Sequence, residues 1–132
     1  MLEQALELQL TADDPAGVRI ARRSTTQVVE NWAGRPGVAD DVCLVVSELV
    51  TNAFRHGRSD AVLRLLHQDN CIRVEVLDED TRMPVLLVPD PQALTGRGLA
   101  LVAALATLWG ADRTAAGKTV WAEFDLSDRR DP

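Results

Sequence analysis

Between Val42 and Phe54 the chain is mostly apolar, and three polar residues mark the run and its end at one spacing: Glu48, Asn52 and His56, each four residues from the next. At about 100° per residue, a four-residue step advances about 40° around an α-helix, so the three side chains form one slightly slanted stripe. Val42, Val45, Val46, Leu49 and Ala53 fall beside that stripe and can face a core, which sets it at the border between core and solvent. The spacing predicts a helix from about Ala39 to His56. A carboxylate, a carboxamide and an imidazole aligned there suit the wall of a ligand cleft. They equally suit the wet edge of an amphipathic helix, and a histidine near a helix C-terminus is also a favourable partner for the dipole.

The remaining segments read as elements gathered around this helix. Leu6 to Leu10 alternates strictly and predicts a strand with one buried face. Asp14 and Pro15 then suit the start of a helix running to about Trp32, which Gly34-Arg35-Pro36-Gly37 breaks. Beyond a turn at Gly57-Arg58-Ser59-Asp60, the runs Ala61 to Gln68 and Cys71 to Leu77 predict a hairpin closed by Asp69-Asn70. Thr81 to Thr95 holds three prolines and no periodicity, which predicts a long loop or lid with a strand-like piece at Val85-Leu86-Leu87-Val88. Gly96-Arg97-Gly98 opens an apolar helix expected over Leu99 to Trp109 and capped by Gly110. Two closing strands are expected at Ala111 to Thr114 and Lys118 to Leu126. The order predicts an α+β fold with helices layered on one face of a mixed or mostly antiparallel sheet.

Composition narrows the function more than the fold. A chain of 132 residues, 46% of them hydrophobic, suits one domain over residues 1–126, with the charged 127–132 expected to be a disordered tail. Fourteen basic against twenty acidic residues leave a net charge of −6. That balance argues against a general nucleic-acid binder or an anionic-membrane binder, both of which need clustered Lys and Arg. One small phosphate ligand remains compatible, because it needs only local donors. No secretory pattern opens the sequence and no apolar run reaches membrane-spanning length, so a cytoplasmic location is expected. Cys43 and Cys71 lack metal-type spacing and are expected to be reduced core residues.

Several residues have the chemistry of a nucleotide site. Gly96-x-Gly98 at a helix start allows close backbone approach, and the exposed N–H groups and dipole there favour an anion, although glycines also mark ordinary loop-to-helix turns. Arg97 can add a charge-assisted contact or stay solvated. Asp78, ending a strand among apolar neighbours, can accept a hydrogen bond from an exocyclic amine such as that of adenine, or simply start an Asx-turn. Thr119 can bring a hydroxyl near the same base, or serve only as a good strand residue. The Asn52 amide oxygen is a hard ligand suitable for Mg²⁺ that is otherwise held by phosphates and water. A carboxylate one turn earlier, at Glu48, can orient or deprotonate an attacking hydroxyl.

With these residues in view the chain resembles the GHKL ATPase and kinase superfamily, which has the Bergerat ATP-binding fold, a two-layer α/β sandwich. Glu48-Leu-Val-Thr-Asn52-Ala-Phe-Arg-His56-Gly57 is similar to its N box, and Asp78 to its adenine-binding aspartate. Gly96-Arg97-Gly98-Leu99 is similar to its phosphate-binding glycine box, and Gly117-Lys-Thr119-Val-Trp to its closing strand motif. The resemblance runs from the first helix to Leu126 and is nearest to the small branch of anti-sigma factor serine/threonine kinases. It implies Glu48 as catalytic base or its equivalent, Asn52 as Mg²⁺ ligand, Asp78 as adenine contact, Gly96, Arg97 and Gly98 as phosphate contacts, and Thr119 near adenine. His56 would then lie near the phosphates, with Leu99 completing the second glycine box. Two departures stand out. Asp78-Glu79-Asp80-Thr81-Arg82 replaces an aspartate followed by spaced glycines, and Thr95 stands where many relatives have an acidic residue.

The resemblance implies an ATP- and Mg²⁺-dependent protein kinase acting on an anti-sigma factor antagonist and able to hold a sigma factor, with a homodimer as a possible assembly. Two alternatives stay open. One is a module that sequesters a regulatory partner without catalysis, with or without nucleotide, which the Glu79-Asp80 departure favours. The other is an ATPase-type domain working within a larger assembly.

Overall fold

The computed structural model describes residues 2–32, 36–57, 60–80 and 94–127, with only the backbone for 56, 57 and 94–98. The elements are β1 (Glu3–Leu10), α1 (Gly17–Val29), α2 (Val38–Gly57), β2 (Ala61–Gln68), β3 (Cys71–Asp78), α3 (Leu94–Leu105), β4 (Leu108–Arg113) and β5 (Lys118–Asp125). The five strands form one sheet in the order β1-β2-β3-β5-β4, and every pairing is antiparallel. The fold is therefore α+β with two layers, and the mixed alternative gives way to a purely antiparallel sheet.

Strand alternation decides which side of the sheet the helices cover. Leu63, Leu65, Ile72, Val74, Val76, Val120, Ala122 and Phe124 are all buried, and they share one core with Ala21 and Val29 of α1, Val42 to Ala53 of α2 and Val102 of α3. α2 carries the most into it: Val42, Val45, Val46 and Val50 are completely buried. It packs on β2, β3 and β5 and against both other helices. Gly37, with φ at 84°, turns the chain into α2, and Asp40 and Asp41 in the first turn complement its dipole.

The opposite face of the sheet is closed by its own side chains. Arg73 donates from Nε to Glu75 at 2.9 Å and from Nη1 to Glu123 at 2.8 Å, and its guanidinium lies 4.4 Å from the centre of the Trp121 ring. Burial works against the Arg73 charge, but its hydrogen bonds to Glu123 and Glu75 outweigh that and raise its pKa. Gly110 lies opposite Trp121 in the β4–β5 ladder, where a Cβ would sit 2.7 Å from the indole Cζ2.

Three expectations are corrected. Helix α1 starts at Gly17 rather than Pro15, because Asp14 holds the preceding residues in a turn, its Oδ1 accepting the Ala16 N–H at 2.8 Å. The third helix spans Leu94–Leu105, not Leu99 to Trp109, so Gly96-Arg97-Gly98 belongs to its first turns instead of a preceding loop. Trp109 and Gly110 accordingly lie in β4 (Leu108–Arg113), which replaces both the expected cap and the expected strand at Ala111 to Thr114. The apolar run that suggested one long helix is shared between a helix and an edge strand. The strand-like piece at Val85 to Val88 and the tail beyond Ser127 lie outside the described residues.

Candidate functional site

Helix α2 presents Glu48 and Asn52 one turn apart, both half-buried, beside the wholly buried Val45, Val46 and Val50. Among the described residues, neither side chain has a hydrogen-bond partner. Two polar groups held at the core border without partners can act on something outside the chain. The backbone of His56 continues the helix one turn further; its side chain lies outside the described residues.

β3 ends in Asp78, whose side chain is only 2% exposed and faces the helix side of the sheet. Its Oδ1 accepts the Asp80 N–H at 2.9 Å, so the Asx-turn is present. The same oxygen accepts from Lys118 Nζ at 3.0 Å, and the Lys118 side chain is 7% exposed. Nζ also donates to the Asp80 carbonyl oxygen at 3.2 Å and lies 4.0 Å from the Asp80 carboxylate. This pairing follows from register, since Asp78 lies directly opposite Lys118 in the β3–β5 ladder.

That register corrects the reading of Thr119. It lies opposite Leu77, and by alternation its side chain takes the face shared by Arg73 and Trp121, while Asp78 and Lys118 take the other. The cross-strand partner of the β3 carboxylate is Lys118, which the sequence reading missed. A signal was available, because Lys118 is the sole lysine among fourteen basic residues. A chain that uses arginine for every other cation keeps its one ammonium for a buried position.

Gly117 makes the junction possible. A Cβ there would collide with the Asp78 carbonyl oxygen and lie 2.6 Å from Glu79 Cα. A cavity of about 380 Å³ opens at this end of the sheet, lined by Leu10, Val62, Leu77, Asp78, Glu79 and Thr114 among others; neither Glu48 nor Asn52 lines it. On the α3 side, Gly96 and Arg97 fall within the first turn, whose N–H groups lack intrahelical acceptors, and Leu99 is buried.

The Asn52 carboxamide fits a single hard-oxygen contact to Mg²⁺. Among the described residues no three acidic, cysteine or histidine side chains form a cage of their own, so the other ligands would have to come from phosphate and water.

A half-buried carboxylate and carboxamide on the central helix, a buried carboxylate ending a central strand and a glycine-bearing helix start are the polar features of this two-layer α+β domain. Comparison with known families names it: residues 11–124 match the histidine kinase-like ATPase domain, and the chain belongs to that family, whose description implies ATP binding. Among solved structures, the fold is shared with part of the chain that holds the RsbU and RsbW domains of Rv1364c from Mycobacterium tuberculosis, at a TM-score of 0.70 and 22% identity. The likeness covers 92% of this chain but 31% of that one, so the protein spans about a third of its structural neighbour. A comparison with curated proteins gives no match.

Proposed function

We propose that the protein is an ATP-dependent regulatory serine/threonine kinase of the anti-sigma factor type, acting on an anti-sigma factor antagonist. The observation that carries this reading is the family match across residues 11–124, with Glu48 and Asn52 on α2 inside it and, among the described residues, without hydrogen-bond partners. The fold shared with a chain containing an RsbW domain supports the regulatory assignment. No helix among the described residues is long and apolar enough to cross a membrane.

In the proposed reaction a partner hydroxyl attacks the γ-phosphorus of ATP. The new O–P bond forms as the bridging bond to ADP breaks, and Glu48 takes the hydroxyl proton. Mg²⁺, when bound, would neutralise phosphate charge, and the Asn52 amide oxygen is the group that would hold it. The start of α3, with Gly96 and Arg97 in its first turn and Gly98 just after it, would favour the phosphates through the N–H groups of that turn and the helix dipole. His56, one turn beyond Asn52, would lie near them.

Incubation with γ-labelled ATP and antagonist domains from the same genome tests this. Label should appear on one serine or threonine, and Glu48→Ala should cut transfer by about 10²–10⁴ while nucleotide binding persists. Undiminished transfer by the variant would remove Glu48 from the chemistry.

A second reading, a module that sequesters a sigma factor or other partner without catalysis, is favoured by the Lys118–Asp78 pair, because the carboxylate that would read adenine already holds a cation. Calorimetry with ATP and Mg²⁺ bears on the choice, since absence of any nucleotide heat would remove the kinase reading, whereas phosphotransfer to a partner would remove the purely sequestering one.

A further inference from the structure

We propose that Lys118 is an internal competitor for the base site: its ammonium pairs with Asp78, and an incoming amino group gains the full strength of that carboxylate only as the ammonium shifts towards Asp80. The inference rests on the nucleotide reading above and adds a residue that sets affinity within it.

Asp78 Oδ1 carries two donors, the Asp80 N–H at 2.9 Å and Lys118 Nζ at 3.0 Å, so an exocyclic amine approaching the carboxylate finds Oδ1 taken and a positive charge beside Oδ2. The ammonium cannot simply retreat into the protein, because burying it without an anion is prohibitive. A second carboxylate is at hand. Asp80 Oδ2 lies 4.0 Å from Nζ, and the Asp80 carbonyl already accepts from it at 3.2 Å. A movement of about one ångström brings the ammonium into hydrogen-bond distance of Asp80 and loosens its hold on Asp78, leaving that carboxylate to the base.

The arrangement also gives a reason for the Glu79-Asp80 sequence where glycines are expected: the acidic residue is the seat that makes displacement possible. Gly117 lets β5 approach so closely that Lys118 is delivered to the end of β3 and nowhere else.

The single lysine makes the test direct. Lysine-selective ¹³C and ¹⁵N labelling yields one side-chain signal, which should move saturably as ATP with Mg²⁺ is added to the wild-type protein. Calorimetry should show Lys118→Met binding ATP about 10- to 100-fold more tightly, the range a charge-assisted hydrogen bond corresponds to. Asp80→Asn should bind more weakly than wild type, since the displaced ammonium loses its seat. Effects of opposite sign cannot come from general damage to the fold. A lysine signal that stays put while ATP binds overturns the proposal and leaves the nucleotide reading intact, as does Lys118→Met binding no tighter than wild type. Absence of ATP binding in all three proteins removes both. If Lys118→Met does not fold, the wild-type titration decides alone.

Discussion

A lysine buried to this extent survives only because its charge is matched at every hand, and the match has consequences for single substitutions. Asp78→Ala would leave Nζ with a carbonyl and a distant carboxylate, and removing one partner of a buried pair costs about 3–5 kcal/mol. Removing both charges together, as in Asp78→Leu with Lys118→Met, should cost markedly less; urea unfolding of the single and double variants measures the difference. Cys71 offers a pH test. Burial first, then the Glu123 and Asp125 carboxylates, push its thiol up, with Arg73 pulling the other way. Because the thiolate is the reactive form, alkylation should begin at a higher pH than for an ordinary thiol, and Glu123→Gln should bring the profile back down. Iodoacetamide rates across pH, read at Cys71 by mass spectrometry, would exclude this if the wild-type profile matched a free thiol. At this scale the sequence was legible where a residue's neighbours are its own helix: Glu48 and Asn52 lie on the predicted stripe. It was not legible for Lys118, whose meaning depends on a cross-strand register that no local pattern specifies.

Among the elements, α2 and the β2–β3 hairpin were readable because their periodicities are long and unmixed. The stretch from Leu94 to Arg113 was not, since an apolar run is equally suited to a buried helix and an edge strand, and only pairing with β5 decides. Gly110 belongs to that same ambiguity: read locally it is a helix cap, but in the sheet it makes room for Trp121. Gly110→Val should therefore destabilise by about 1–3 kcal/mol, by forcing the indole off the strand and away from Arg73. Thermal unfolding followed by tryptophan fluorescence reports both effects, and an unshifted midpoint would show that the ring has room to move. Gly117→Ala acts at the other hairpin end, where the collision is with backbone, so it should lower stability by a similar amount and also disturb the Lys118–Asp78 contact.

For the molecule as a whole, the layer order and the antiparallel sheet follow from the chain of strand, helix, helix, hairpin, helix, hairpin, which is why fold class could be read without coordinates. Family membership then ties the fold to ATP, and ligand linkage supplies a global test. At a free ATP concentration of about 100 times its dissociation constant, unfolding should be opposed by about 2.7 kcal/mol more, visible as an upward shift of the melting midpoint with ATP and Mg²⁺. No shift at millimolar nucleotide would argue for the sequestering module.

The position of β1 also bears on the order in which this chain assembles. The two hairpins, β2–β3 and β4–β5, join neighbours in sequence, whereas β1 reaches its place against β2 only after the chain has looped out through both α1 and α2. Closing so long a loop is entropically costly until the helices have docked, so β1 should be added to a sheet already formed and should be the first strand to detach. In native-state hydrogen exchange its amides should open at lower free energy than those of the central β3, which makes the N-terminal strand the hinge through which the domain loosens.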